Sequence, residues 1–300
     1  MNKVQKCLLA AVASLAAGAT VCMAGDPIRP VSFPTLVDSP DVSTYVHPIV
    51  LFQKLPSELT TTAGKVPAGG NLEVYALAAE IALNKDLSII AVKDGYIDFN
   101  PDHTLTKDTG WANLAAGAKY VFLRGEGLAA SAKLVAELPS GDDSVWQGNG
   151  DGKLEPAISV CKQADKLQLN GTVGFIQPLG NDESSSFYDS WHVSYAVCQY
   201  FSPLVELNHM HVTKSGNGTK AFDNQADGGV PSIAQFEGGD LVNLGAANGD
   251  NNPDFVSLAL GGRARLCKAC DLGVAYEFPL TDSSSSLMDY RVTADLVVKF

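Results

Sequence analysis

Beyond its first 24 residues this chain of 300 has no apolar run long enough to cross a bilayer as a helix, which excludes a helical integral membrane protein. Basic residues are scarce, 21 against 33 acids, so a basic nucleic-acid-binding face is excluded as well. Gly-x-Ser-x-Gly is missing, and with it the usual nucleophile turn of a serine hydrolase. A haem attachment is missing too, because Cys267-x-x-Cys270 is followed by Asp271 rather than His. The oxygen-rich stretches at 148–152 and 248–254 lack the spaced calcium-loop pattern ending in Glu and read as turns.

What is present begins with an export signal over residues 1–24. Lys3 and Lys6 form its basic start, Cys7 to Val21 are uncharged, and Cys22-Met23-Ala24 make a small-x-small cleavage site before Gly25. Cleavage takes the formal charge from −12 to −14, since no acid lies in the leader.

The clearest pattern is the chain's end. Tyr290, Val292, Ala294, Leu296, Val298 and Phe300 alternate with Arg291, Thr293, Asp295 and Lys299, the period of a strand wet on one side and apolar on the other. An apolar last strand ending in Phe is what outer-membrane barrels show. The same alternation predicts strands at 43–54, 71–84, 86–98, 112–124, 127–138, 153–163, 167–178, 188–199, 203–213, 254–266, 270–280 and 287–300. Short connections (85, 125–126, 164–166, 200–202, 267–269) alternate with generally longer ones (55–70, 99–111, 139–152, 179–187, 214–253, 281–286). The expected fold is therefore all-β: a transmembrane antiparallel barrel of twelve strands over residues 43–300, with periplasmic termini, in the outer membrane. An even strand number leaves no open edge. Residues 25–42, rich in Pro, read as a periplasmic lead or a short plug. Aromatics near strand ends (Trp111, Tyr120, Phe122, Trp191, Tyr200, Phe201, Phe278, Tyr290, Phe300) suit interfacial girdles.

Alternation also sorts the polar residues. On the lumen side it places Glu80, Lys119, Lys133, Glu137, Glu155, Glu206, Asn208, Arg263, Arg265, Glu277, Arg291 and Asp295 as pore-lining candidates. With Lys299 the inward charges balance at six cations against six anions, so they read either as a polar network filling the lumen or as the wall of a narrow path for a small solute. Lys93-Asp94-Gly95 predicts a bulge or strand end, because adjacent charges cannot both face inward. The long 214–253 connection is expected to fold over the lumen as a constriction through Phe236, Glu237, Asp240 and Asn243.

His192 and Ser194 share a face at a spacing that suits a base and a nucleophile, but no orienting third residue is identifiable, and the chain does not read as an enzyme. His209 and His211 share a face without a recognisable third ligand, so no metal and no cofactor are expected. Cys267 and Cys270 flank a tight turn and are candidates for a disulfide, whereas Cys161 and Cys198 come out about 9–10 Å apart, too far for a relaxed bridge.

Leu87 to Phe99 (LSIIAVKDGYIDF), Ala112 to Leu123 (ANLAAGAKYVFL), Gln147 to Pro156 (QGNGDGKLEP), Glu237 to Gly245 (EGGDLVNLG) and Leu272 to Phe300 resemble a group of exported bacterial outer-membrane barrels. That group is similar to the transporter family named for the meta pathway of phenol degradation. The resemblance implies a barrel passing small, hydrophobic or aromatic compounds, and it carries over no catalytic residue. The expected partners are outer-membrane lipids, the barrel-assembly machinery acting on the C-terminal strand, and a small-molecule solute, with the chain a monomer. The other reading is a structural or adhesion barrel, plugged, whose acidic outer loops do the work.

Overall fold

The computed structural model describes residues 27–61, 64–148, 150–216 and 253–300, so the expected leader lies outside the described residues. Strands form where the alternation runs, because each pleat sends successive side chains to opposite faces. In chain order they are β1 (Tyr45–Lys54), β2 (Glu58–Thr61), β3 (Gly64–Pro67), β4 (Gly70–Ala82), β5 (Leu87–Lys93), β6 (Tyr96–Pro101), β7 (Asp108–Trp111), β8 (Leu114–Gly125), β9 (Leu128–Leu138), β10 (Lys153–Ala164), β11 (Leu167–Pro178), β12 (Ser185–Tyr195), β13 (Phe201–Lys214), β14 (Asp254–Cys267), β15 (Cys270–Pro279) and β16 (Tyr290–Lys299). β2 and β3 are a small hairpin apart from the main sheet. β5 and β6 both lie along β4 and are halves of one stave; β7 and β8, which pair with β6 and β5, are halves of the next. The wall therefore has twelve antiparallel staves, and β1 closes it by pairing with both β16 and β4.

The broken staves sit where the sequence puts Lys93-Asp94-Gly95. The register shifts between Ala91 and Lys93, and a Cβ at Gly95 would come within 2.9 Å of the Tyr75 carbonyl oxygen, so the chain can cross β4 closely only with glycine there. This jog brings Lys93 inside.

Connections at one end are short: 83–86, 126–127, 165–166, 196–200 and 268–269. Local chemistry sets them: the Asn84 side chain accepts the N–H groups of Asp86 and Leu87, and Gly127 takes a φ of 64°. Longer connections gather at the other end, the arrangement of barrels whose short turns are periplasmic.

Three expectations shift. The strand expected at 188–199 runs Ser185–Tyr195, because the apolar Ala196-Val197-Cys198 continues the alternation into a turn, and Cys198 makes only an isolated bridge with Phe201. The expected loop at 99–111 carries the end of β6 and all of β7, so the wall stands taller there. Ala112, which on the strand expected at 112–124 has the parity of Leu114 and Tyr120 and so should face lipid with them, is buried, because the break between β7 and β8 interrupts the alternation.

Val50, Leu77, Ile81, Ile89, Leu134, Ile158, Leu169, Val173, Val205, Leu207, Leu260 and Val274 are exposed around the outside. A continuous apolar girdle of this kind is unfavourable against water at about 25 cal/mol per Å² and stable against lipid. Among the described residues no helix is long and apolar enough to cross a membrane; the strands cross it instead. Trp111, Tyr120, Trp191, Tyr200 and Phe300 remain exposed near strand ends.

Inside, two apolar clusters do different jobs. Leu51, Leu55, Leu59, Leu72, Ile97, Phe99, Val145, Trp146 and Leu287 tie three long-end connections to the wall, with Thr60 and Ser284 hydroxyls 2.8 Å apart across them. Phe33, Leu36, Val37, Ile176, Tyr188, Met210, Phe255 and Met288 pack an inserted segment against the wall.

Candidate functional site

That segment, residues 27–43, enters from the short-turn end, reverses around Phe33 and returns to β1. The reversal is local: the N–H groups of Leu36 and Val37 both donate to the Phe33 carbonyl (3.0 and 2.9 Å), and Phe33 adopts a φ of 50°, uncommon for a bulky side chain. Phe33 sits 6.2 Å from the Phe255 ring and 5.9 Å from the Arg291 guanidinium carbon, so apolar packing holds the bend deep in the lumen.

Backbone groups inside a barrel have no ladder partner, and burying them costs free energy unless they are satisfied. The wall supplies those partners. Gln168 accepts from Ile28 N–H at 2.8 Å and donates to its carbonyl at 2.6 Å. Glu206 accepts the N–H groups of Val31 and Ser32 and the Ser32 hydroxyl. Arg263 donates to the carbonyls of Arg29 and Pro30 at 3.0 and 3.2 Å, and Lys133 to that of Leu36 at 2.6 Å.

Charge pairs complete the attachment. Lys119 bridges Asp38 (2.7 Å) and Glu80 (2.8 Å), and Arg29 reaches Asp38 at 2.6 Å. Burial alone would raise the Asp38 pKa, but Lys119 and Arg29 outweigh it and hold it at about 2, below the usual 3.8. A carboxyl depressed in this way stabilises the folded arrangement above its unfolded pKa and loses that contribution as the pH falls through the folded one. The Asp38 contribution to holding the segment is therefore expected to be present above about pH 4 and to be lost as the pH falls towards about 2. Faster amide exchange over residues 28–38 across that window is the expected reading, and unchanged exchange would refute it.

Of the pore-lining candidates, Glu80, Lys119, Lys133, Glu137, Glu155, Glu206, Asn208, Arg263, Glu277, Arg291 and Asp295 are buried within the lumen. Arg265 lies at the short-turn mouth, 3.3 Å from Asp271. Rather than facing an open path, most bond to one another or to the inserted segment. Arg263 forks onto both Asp295 oxygens at 2.8 Å each, and His47 meets Asp295 at 3.0 Å. Glu137 takes Lys93 at 2.9 Å and Asn113 at 2.7 Å. Glu277 accepts from Asn208 and Ser257, and Arg291 donates to Gln53. Glu155 is diagonal to Glu137 and Lys133 in the inner register. Phe236, Glu237, Asp240 and Asn243 lie outside the described residues.

His192 and Ser194 are brought together, Nε2 to Oγ at 2.9 Å, and Glu206 is the third member that spacing could not reveal, 2.7 Å from Nδ1. All three are buried, and Glu206 is already committed to Val31 and Ser32. Through Glu206 the trio ties residues 31 and 32 to the wall.

Cys267 and Cys270 are register partners across the short turn between β14 and β15. Both thiols are free, as are Cys161 and Cys198. A bulge between Arg265 and Cys267 disturbs the register there, and the Cys267 sulfur accepts the Ala269 N–H at 3.4 Å.

Sequence spacing missed Arg29, Ser32 and Asp38, the segment's own contacts, and also Lys93, His47 and Gln53. For Lys93 the signal was the charged pair before Gly95. For Arg29 and Asp38 no periodicity exists to read.

No protein-family model matches the chain, and no curated protein matches it. Among solved structures it is similar to an outer-membrane channel from Pseudomonas putida F1, at 12% identity and a TM-score of 0.61 over 91% of this chain and 100% of that one. It is also similar to the NanC porin, at 7% identity and a TM-score of 0.53 over 85% of this chain and 100% of that one. At such identities the likeness is one of fold: the chain is a closed, twelve-stranded antiparallel β-barrel of the outer-membrane type.

Proposed function

We propose that this chain is a passive outer-membrane channel for small solutes whose conduction is set by residues 27–43. The observation that carries this reading is the manner of attachment. The segment loops into the lumen and back without joining the wall as a strand, and side chains hold it one group at a time. Such contacts can be broken piecemeal while the barrel stays closed.

The chemistry of the wall suggests the class of solute. On the β1, β4 and β6 side Ile49, Leu51, Val74 and Ile97 face Phe33 and Leu36 across a cavity of about 70 Å³. An apolar wall opposite a polar one suits a small hydrophobic or aromatic compound with a polar end. The chain acts as a monomer in this reading, inserted by the assembly machinery through its C-terminal strand.

A closed structural barrel is the second reading, favoured by the apolar cluster that ties the outer connections together. Planar-bilayer recording of the refolded mature chain separates the two. Brief, small current steps are expected from the intact chain, and silence both from it and from a folded chain lacking residues 27–42 would overturn the channel reading.

A further inference from the structure

A second site lies on the outside of the barrel, near its long-connection end, and is independent of conduction through the lumen. β13 sends its odd-numbered residues outward, so Val205 and Leu207 in the apolar girdle are followed on the same face by His209 and His211. The register sets His211 opposite Asp254 on β14 and His209 opposite Asp189 on β12. Four chemically capable side chains from three neighbouring strands thus meet on one patch. Two imidazoles without a third ligand carry little weight in the sequence; the fold supplies Asp254 from 43 residues beyond His211.

The distances limit what can occupy the patch. His209 Nδ1 is 2.9 Å from Asp189, whose other oxygen accepts the Trp191 indole N–H at 2.8 Å. This fixes the ring and assigns its Nδ1 proton to Asp189. His209 Nε2 then meets Asp254 Oδ1 at 3.0 Å, and His211 Nδ1 meets the same oxygen at 2.7 Å. Two imidazole nitrogens and a carboxylate oxygen cannot converge with lone pairs facing one another. Either two protons or one divalent cation must lie among them. With neutral imidazoles the two carboxylates leave two negative charges beside the exposed rings of Phe187 and Trp191, and a divalent ion cancels them.

We propose that His209 Nε2, His211 Nδ1 and Asp254 form a surface site for a divalent transition-metal ion such as Zn²⁺, with water completing the coordination. The three ligand atoms lie within 4.8 Å of one another, so small rotations of the half-exposed Asp254 and His211 bring each to the roughly 2.0–2.2 Å that zinc requires. Paired imidazoles select against calcium and magnesium, which prefer oxygen. Asp189 is a positioning residue: it orients His209 and makes it a better donor, as carboxylates behind metal-bound histidines do.

The test is zinc titration of the untagged, refolded mature chain by calorimetry, in a Cys267→Ser/Cys270→Ser background that removes the competing thiols. One ion per barrel is expected. His209→Ala, His211→Ala and the near-isosteric Asp254→Asn should each weaken binding by about tenfold or more, and Asp189→Asn by roughly tenfold without changing the stoichiometry. Heat-modifiable electrophoretic mobility confirms that each variant is folded, and these outward-facing substitutions leave the lumen untouched. Absence of stoichiometric binding in the parent, or equal binding by a folded His209→Ala/His211→Ala chain, would overturn the site.

Discussion

Deleting residues 27–42 while keeping Ser43 and Thr44 is expected to turn a nearly silent barrel into one with sustained open current. Thr44 must stay because its carbonyl accepts the Phe300 N–H and its hydroxyl accepts the Ala82 N–H, contacts that help close the ring at the β1 seam. Most of what is removed lies inside, with Asp41 pairing at the mouth with the exposed Arg124 at 3.2 Å. Glu206, Gln168, Lys133 and Arg263 lose partners in the segment. Water replaces those partners at little cost, since a hydrogen bond to an ordered water is nearly as good as a direct one. The barrel should therefore fold and close as before. Its lumen then carries Glu80 and Lys119 on one side and Glu206 and Glu277 on another, a wall over which ions move readily. A rise in conductance of roughly tenfold or more over the intact chain is the expected scale for emptying a small barrel's filled interior. A shift in ion selectivity on adding Glu277→Ala would identify the lumen as the path. If the folded, shortened barrel stays silent, closure resides in the outer connections gathered around Trp146 and Leu287, and the inserted segment is scaffold.

The wall was legible in the sequence because a membrane barrel enforces a period of two on every stave, and an error of one residue would turn charges into lipid. Lys119, Glu137, Arg263 and Asp295 face inward as alternation requires. The pattern misled where something other than the pleat governs direction: at Ala112, beside a break in its stave, and at Cys198, where apolar residues run on into a turn. Residues 27–43 gave only composition, because a segment satisfied by side chains of the wall has no periodicity of its own. The partners of Arg29 and Asp38 are distant in sequence, as Glu80 and Lys119 are, and only the closed ring brings them together. His192, Ser194 and Glu206 make the same point across adjacent strands: spacing revealed the first two, and the register of β12 with β13 supplied the third.

Arg263→Ala is expected to be the most destabilising single change in the lumen. Its guanidinium forks onto both oxygens of Asp295 while also donating to two carbonyls of the inserted segment, so one side chain joins β14, β16 and that segment. Truncation leaves the Asp295 carboxylate buried with His47 and the Gly273 N–H as its remaining close partners. Removing one member of a buried pair typically costs about 3–5 kcal/mol, most of it the penalty of the stranded charge rather than the worth of the pair. The remedy follows from the same reasoning: Arg263→Ala combined with Asp295→Asn removes the stranded charge and should recover roughly half or more of the loss, a coupling far above the scatter of independent sites. Urea unfolding in lipid vesicles, followed by tryptophan fluorescence, measures both. Amide exchange over residues 28–31 adds a second readout, since the freed carbonyls of Arg29 and Pro30 should loosen that stretch in the single and the double variant alike. A single variant that loses under about 1 kcal/mol would mean that water already reaches Asp295, and the lumen at that level would have to be wet rather than packed.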